Sequence, residues 1–182
     1  MKFGPITVKD KLGRDVVLRN AELSDAENLI KYLKVTSDET PFLMKDGDEI
    51  TMTMEMEEAF LRSKIEDERE LVLVATVDGR HIGNCGLMSF GDYRRYQHRC
   101  TVAIALYQEF CGFGIGKLML ETVLDKAKSV GYEQAELEVI AGNDGAKTLY
   151  EKLGFEEYGR FPDSTKYSDG TYADSYWMMK KL

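Results

Sequence analysis

The sequence is poor in the residues that build metal centres and disulfide frameworks, with 3 Cys and 2 His among 182 residues. The cysteines, Cys85, Cys100 and Cys111, lack CxxC spacing and the two histidines lie far apart. This pattern predicts no structural zinc site and no other metal site. An odd number of cysteines also disfavours a disulfide framework, and it favours a reducing, cytoplasmic setting in which cysteines serve as small apolar residues.

Long apolar runs and an excess of positive charge are also lacking. No segment approaches the roughly 18 uninterrupted apolar residues of a membrane span, and the first residues have no apolar signal core. Lys and Arg total 24 against 32 Asp and Glu, which gives a net charge of −8. A nucleic-acid surface needs clustered Lys and Arg to neutralise phosphates. We therefore expect neither a membrane nor a nucleic-acid partner.

What is present is the composition of an ordinary folded protein, with 43% hydrophobic and 31% charged residues. No repeat, low-complexity stretch or proline-rich linker interrupts it, so we expect one domain over residues 1–182. Strand and helix patterns alternate, which indicates a mixed α/β (α+β) sheet, and Ser24 is the predicted N-cap of the first helix. Strands are predicted at 15–19, 71–77, 82–90, 98–107, 135–140, 155–161 and 172–179, helices at 24–33, 54–65, 114–130 and 143–153, and a loop at 36–51.

The most informative segment is a strand that runs into three alternating glycines, Gly112, Gly114 and Gly116, within which an amphipathic helix begins. Glycines at such a turn let the backbone expose consecutive N–H groups at the positive end of a helix dipole, which suits an anion such as a pyrophosphate. The segment does not fit GxxxxGK[ST] or GxGxxG residue by residue. Taken alone, it could equally be a tight connection without a ligand.

A second motif follows a later strand and runs from Asn143 to Phe155. It begins with a residue typical of N-caps and has a glycine at its end, and its apolar residues recur on one helical face. Taken alone, this helix could carry Tyr150 as a core aromatic and Asn143 as a cap only.

Together the two motifs resemble the GNAT superfamily of acyl-CoA-dependent N-acetyltransferases. The family loop [RQ]xxGx[GA] appears here as CGFGIG from Cys111 to Gly116, and the order of elements from Val16 onward also fits. The resemblance implies a single mixed, mostly antiparallel twisted sheet flanked by helices, with splayed central strands. The family helix NxxAxxLYxKxGF is matched at Asn143, Ala146, Leu149, Tyr150, Lys152, Gly154 and Phe155.

The resemblance also implies acetyl-CoA as the cosubstrate, without a metal. Its pantetheine arm would pair with the backbone of 104–106 like an added strand, and the amides of 112–117 would hold its pyrophosphate. Cys111 replaces the family Arg or Gln, and we expect weaker binding at most, because the amides form most of the anion site. The residues implied to bind the cosubstrate are Ile104, Ala105, Leu106, Gly112, Phe113, Gly114, Ile115, Gly116, Lys117, Asn143 and Tyr150.

Direct attack on a thioester requires a neutral amine. At pH 7 the deprotonation of a lysine-like amine costs about 4.6 kcal/mol, whereas the deprotonation of an α-amine with a pKa near 8 costs about 1.4 kcal/mol. A base, or a water chain to one, is therefore expected more strongly for a lysine-like acceptor. Glu138 is the candidate, although Glu138 and its face neighbour Glu136 could equally face solvent. By resemblance, Tyr150 is the general acid for the leaving thiolate, and the Leu106 amide is the donor to the thioester carbonyl.

The acceptor is expected to be a primary amine, either a small molecule or a protein α-amine. Carboxylates between residues 38 and 49 could attract a cationic acceptor, but such a run is commonly a solvated loop. A non-catalytic acyl-CoA-binding or regulatory module is the alternative function. A homodimer is common in the family, although nothing in the sequence demonstrates one.

Overall fold

The computed structural model describes residues 1–91 and 93–182. Within them the chain forms eight strands, four α-helices and three short 3-10 turns at Leu23–Asp25, Gly47–Glu49 and Gln108–Phe110. The helices are α1 (Ala26–Glu39), α2 (Met54–Glu66), α3 (Ile115–Ser129) and α4 (Asp144–Lys152). The strands are β1 (Ile6–Lys9), β2 (Asp15–Asn20), β3 (Leu71–Val77), β4 (Arg80–Ser89), β5 (Arg99–Leu106), β6 (Gln134–Ile140), β7 (Glu156–Lys166) and β8 (Tyr172–Lys181).

The eight strands form one sheet in the order β1-β2-β3-β4-β5-β6-β8-β7. The β5–β6 pair is parallel, and the other neighbouring pairs are antiparallel. This is the mixed, mostly antiparallel sheet expected from the sequence, and the fold prediction is confirmed.

Helices cover both faces of the sheet, as strand β3 shows. Leu71, Leu73 and Ala75 of β3 join the core cluster that contains α3 and Tyr150 of α4. Val72 and Val74 join the second cluster, which contains α1 and α2. Alternate residues of a strand point to opposite faces, so a strand covered on both sides is apolar throughout. This explains the continuous apolar run at 71–77.

The central strands β5 and β6 separate after a short paired segment. Their parallel pairing covers only Arg99 to Thr101 on β5, opposite residues 134–136 on β6. Beyond it, β5 stays paired with β4 as far as Leu106, and β6 stays paired with β8 as far as Ile140. A wedge-shaped gap therefore opens in the sheet, and the edge of β5 from Val102 to Leu106 faces it. The splay expected from the resemblance is present.

The start of α1 differs from the prediction. Ser24 is not the N-cap, because the 3-10 turn Leu23–Asp25 precedes the helix. The carboxylate of Asp25 accepts a hydrogen bond from the Glu22 amide at 2.8 Å and bonds both terminal nitrogens of Arg19 at 2.7 and 2.8 Å. A serine hydroxyl cannot accept two guanidinium donors in this way. The buried Asp25 therefore fixes this corner.

Two segments contain more structure than the sequence predicts. Helix α1 continues to Glu39, and Gly47–Glu49 forms a 3-10 turn, so the predicted loop at 36–51 is only partly a loop. Thr36 is buried and its hydroxyl donates to the Tyr32 carbonyl at 2.8 Å, so a polar residue continues the helix where the apolar pattern stops. Strand β1, absent from the prediction, pairs with β2 through mostly exposed residues.

Among the described residues, no helix has both the length and the apolar character needed to cross a bilayer. The described residues also contain no group of three or more His, Cys, Asp or Glu placed to hold a metal ion.

Candidate active site

The gap is lined on one side by the free backbone edge of β5. The Tyr107 amide donates to the Ile82 carbonyl at 3.1 Å, so the Tyr107 backbone faces β4. Residues of an antiparallel pair alternate between hydrogen-bonded and non-hydrogen-bonded positions. Ala105 therefore faces β4 as well, whereas the N–H and C=O groups of Ile104 and Leu106 face the gap. Three residues were expected to pair with a pantetheine arm. Of these, Ile104 and Leu106 present their backbone groups to the gap.

Close packing of β4 on β5 holds this edge in place. A Cβ on Gly83 would lie 2.7 Å from the Ala105 carbonyl oxygen and would also collide with the Leu106 side chain. Real Cβ atoms essentially never approach another atom within 3.0 Å. Only glycine at position 83 lets the strands approach this closely, and the position of the Leu106 amide depends on it.

The glycine turn lies at the end of β5 and forms an anion site. Gly112 and Gly114 have φ of 85° and 86°, a region that other residues rarely adopt, and Gly114 is the N-cap of α3. The first helical bond runs from the Leu118 amide to the Gly114 carbonyl at 3.2 Å. None of the six amides from Gly112 to Lys117 donates to an acceptor in residues 1–91 or 93–182. Six free donors at a helix N-terminus suit a pyrophosphate.

The two sequence motifs meet at Gly116. A Cβ on Gly116 would lie 3.4 Å from the Leu149 side chain on α4, 3.6 Å from Leu106 and 3.7 Å from Ile104. The glycine turn, the open edge of β5 and the second motif helix therefore converge on the same end of the gap.

Tyr150 is buried beside this gap with its hydroxyl unoccupied by protein partners. The residue is 7% exposed, packs edge-on against Phe155 at a ring separation of 6.0 Å, and shares its core cluster with Cys85. Its hydroxyl makes no hydrogen bond to the part of the chain that the structure describes. Burial raises the pKa of Tyr150 to about 12, with a smaller contribution from Cys85. The phenol is therefore protonated at neutral pH, as a proton donor must be.

Asn143 caps α4 at the end of β6, across the gap from β5. Its Oδ1 accepts from the Ala146 amide at 3.3 Å. The capping role is therefore present, and within residues 1–91 and 93–182 the carboxamide NH₂ has no hydrogen-bond partner.

Glu138 lies on the opposite face of β6 from Tyr150. Its neighbours Leu137 and Val139 are buried in the Tyr150 cluster, whereas Glu138 is exposed on the face that α1 and α2 cover elsewhere. Glu136 shares that face but does not face solvent, because it is 1% exposed and pairs with Arg99 at 2.5 and 2.6 Å. Burial alone would raise the pKa of Glu136, but hydrogen bonds from Arg99 and Gln134 outweigh it and hold the pKa below its usual range.

An aromatic cluster that the sequence did not predict lies on the α1 side of β5. Tyr32 packs edge-on against Tyr107 at 5.4 Å and against His81 at 4.8 Å. The Glu39 carboxylate accepts from the Gln108 amide at 2.8 Å and fixes the end of α1 over the end of β5. These two ring contacts join residues that are 49 and 75 positions apart, so no local motif could have revealed them.

Several carboxylates between residues 38 and 49 have partners within the protein. Glu39 bonds Gln108, and Asp46 and Glu49 form a reciprocal capping box around the 3-10 turn. The segment also reaches across the sheet. Phe42 lies 3.7 Å from the position of a Cβ on Gly142, and a cavity of about 80 Å³ separates the segment from the β7–β8 hairpin. Its lining residues are Pro41, Leu43, Met44, Asp46, Glu49, Thr165, Lys166 and Tyr167.

A larger cavity of about 340 Å³ lies where β5 and β6 are still paired. It is lined by Arg99, Gln134 and Glu136 together with residues 156–158 and Met179. None of the residues of the glycine turn or of α4 lines it, so it is separate from the gap.

Solved structures place this architecture among the acetyltransferases. A GNAT-family acetyltransferase from Streptococcus pneumoniae superposes with a TM-score of 0.87 at 29% identity, covering 92% of this chain and 99% of that one. A putative acetyltransferase from Salmonella typhimurium, solved with its cofactor acetyl-CoA, has a TM-score of 0.81 at 17% identity and covers 92% and 94%. At that identity the second match concerns the fold alone.

Sequence comparison defines the family. The model of the Acetyltransferase (GNAT) family matches residues 29–155, so the chain belongs to the GNAT acetyltransferase family. A relative named N-alpha-acetyltransferase from Sulfurisphaera tokodaii is 28% identical over 149 residues, which cover 81% of this chain and 84% of the relative. A second protein of that name, from Saccharolobus solfataricus, is 28% identical, in an alignment that covers 96% of this chain and 97% of the relative.

Proposed function

We propose that the protein transfers an acetyl group from acetyl-CoA to a primary amine, by direct attack of the amine within a ternary complex. The observation that carries the proposal is the gap itself. A free strand edge, formed by Ile104 and Leu106, leads directly into six unpaired amides at the start of α3. An extended arm that ends in a pyrophosphate matches the strand edge and then the amides, in the same order.

The pantetheine arm and the pyrophosphate of acetyl-CoA each have a counterpart in the gap. The pantetheine arm adds to β5 as a strand, with its amides facing the backbone groups of Ile104 and Leu106. The pyrophosphate accepts from the amides of Gly112 to Lys117. Asn143 donates its free NH₂ from the β6 side. Bound there, the cosubstrate supplies an activated thioester.

The residues around the thioester handle charge and protons. The Leu106 N–H donates to the carbonyl oxygen, where negative charge develops during attack. As the new N–C bond forms and the C–S bond breaks, the proton of Tyr150 passes to the leaving sulfur. Burial raises the pKa of the Cys85 thiol in the same cluster, and the same surroundings raise the proton affinity of a leaving thiolate. Tyr150 is therefore an adequate donor despite its own high pKa.

The amine enters from the face that bears Glu138, which accepts its proton. We propose an α-amine as the acceptor for two reasons. Two relatives that match most of this chain are named N-alpha-acetyltransferase. In addition, deprotonating an α-amine at pH 7 costs about 1.4 kcal/mol, against about 4.6 kcal/mol for a lysine side chain, so an exposed carboxylate suffices as base.

Ligand-dependent stability and product formation test the proposal together. Acetyl-CoA and CoA should raise the unfolding temperature, whereas ATP should not. At a ligand concentration of 100 times Kd, the free energy of unfolding should rise by about 2.7 kcal/mol. Peptides with a free α-amine should be acetylated faster than N-blocked peptides that carry one lysine. Absence of stabilisation by CoA would exclude the cosubstrate. Stabilisation without product from any amine would support a non-catalytic acyl-CoA-binding module instead.

A further inference from the structure

The first position of the glycine-turn motif carries no cation in this protein, although the family pattern allows Arg there. Cys111 occupies the position of the family Arg or Gln. Its thiol lies 3.7 Å from the Tyr107 carbonyl, and burial, followed by the nearby Glu39 carboxylate, raises its pKa. Position 111 is therefore neutral at pH 7 and adds no positive charge to the six amides.

A lysine from the opposite end of the sequence lies on the same loop. Lys11, in the turn between β1 and β2, donates its backbone N–H to the Phe113 carbonyl at 2.9 Å. Its ammonium donates to the Gly112 carbonyl at 3.2 Å. Its methylene carbons lie 3.4 to 3.8 Å from the position of a Cβ on Gly114. Three separate contacts thus hold Lys11 against the glycine turn.

Lys11 differs from the other cations around the turn in its lack of an acidic partner. Arg14 pairs with Asp10 at 2.7 Å, and Lys117 pairs with Glu121 at 3.1 Å. Arg80 likewise pairs with Glu109 at the preceding 3-10 turn. Within residues 1–91 and 93–182, Lys11 has no carboxylate within ion-pair distance and bonds only a neutral carbonyl. Its charge is therefore the uncompensated one beside the free amides.

We propose that Lys11 is a cosubstrate-binding residue whose ammonium moves from the Gly112 carbonyl to the pyrophosphate and replaces the cation missing at Cys111. This inference rests on the proposed function. Lysine suits the role, because its ammonium is a compact charge on a flexible stem and can exchange a carbonyl for a phosphate oxygen without moving the backbone. The protein thereby offsets part of its net charge of −8 where a polyanion binds.

The test removes the charge and keeps the packing. Lys11→Met retains the backbone bond to Phe113 and an apolar stem over Gly114. We expect Kd for acetyl-CoA to rise by about three- to tenfold, the range of one partly exposed charge-assisted contact. The difference from wild type should shrink as salt is raised, and Lys11→Arg should bind like wild type. Lys9→Met is the matched control, because Lys9 precedes the same turn and pairs with Asp15 at 2.7 Å.

Truncated cosubstrates identify the group that Lys11 contacts. With S-acetylpantetheine, which has no phosphates, Lys11→Met and wild type should have equal kcat/KM. With 3′-dephospho-acetyl-CoA, which keeps the pyrophosphate, the full difference should remain. Cys111→Arg added to Lys11→Met should restore the affinity, because it returns a cation to the turn.

Several results would overturn the assignment. These are an unchanged Kd for acetyl-CoA in Lys11→Met, an equal loss with S-acetylpantetheine, or a difference that disappears with 3′-dephospho-acetyl-CoA. All of them presuppose that the wild-type protein binds acetyl-CoA. Failure of the wild type to bind it would refute the proposed function itself, and the two failures are therefore distinguishable.

Discussion

Replacing Tyr150 by Phe removes one oxygen from a side chain that is 7% exposed. The hydroxyl has no hydrogen-bond partner in the described part of the chain, so its removal breaks no protein contact. The ring contact with Phe155 is retained. We therefore expect the free energy of unfolding to change by less than about 1 kcal/mol.

Activity, in contrast to stability, should fall strongly. Loss of a positioned general acid lowers kcat by about 10²–10⁴-fold, equivalent to about 2.7–5.5 kcal/mol of transition-state stabilisation. Kd for acetyl-CoA should stay within about twofold of wild type, because the binding contacts proposed here are mostly backbone amides. In the wild type, the pKa of Tyr150 near 12 predicts that this group causes no loss of rate up to about pH 10.

Thiol release measures kcat, calorimetry measures Kd, and urea unfolding measures stability. Tyr132→Phe is the matched control, because Tyr132 is 2% exposed, its hydroxyl is unpartnered, and burial raises its pKa to about 12. Tyr132 follows the far end of α3, about 22 Å along the helix from the glycine turn at 1.5 Å per residue, and its substitution should leave kcat unchanged. If Tyr150→Phe also keeps kcat within twofold, Tyr150 is not the acid.

Three further predictions each concern the substitution of a single residue. Glu138→Gln should lower the rate at neutral pH and change the shape of the pH–rate profile, and a profile identical to wild type would assign the base role to another group or to water. Gly83→Ala should cost about 1–3 kcal/mol of stability and weaken acetyl-CoA binding, because a Cβ there would lie 2.7 Å from the Ala105 oxygen; urea unfolding and calorimetry measure both, and a stable variant with normal affinity would contradict this. Asp25→Asn should cost about 1–3 kcal/mol at pH 7. Burial raises the Asp25 pKa, but bonds from Arg19 and the Glu22 amide outweigh it and lower the pKa, so wild-type stability should fall as pH drops below about 4. That fall should be smaller in the variant, and equal pH dependences would argue against a stabilising Asp25–Arg19 pair.

The sequence determined the features that depend on neighbouring residues. The apolar run at 71–77 predicted a strand, and β3 occupies those residues. The alternating glycines predicted the turn before α3, because the positive φ of Gly112 and Gly114 is a local requirement. The pattern from Asn143 predicted α4 and its cap in the same way. These local signals alone predicted a mixed α/β (α+β) sheet, and the family resemblance of the two motifs predicted the rest of the fold.

Contacts between distant segments were decided by the tertiary structure. Alternation alone put Glu136 and Glu138 on one face of β6. Pairing with Arg99 buries Glu136, while Glu138 stays exposed. Ile104 and Leu106 have free backbone groups because β6 diverges beyond Thr101, a property of the sheet that neither residue encodes.

Lys11 is the clearest case of a contact that the tertiary structure alone decides. It lies in a turn beside β1, a four-residue strand of mostly exposed residues that has no periodic pattern to detect. Its partner Gly112 is 101 positions away. A lysine in a turn carries no sequence signal of what it will contact. Only the pairing of β1 with β2 at the edge of the sheet brings that charge to the anion site.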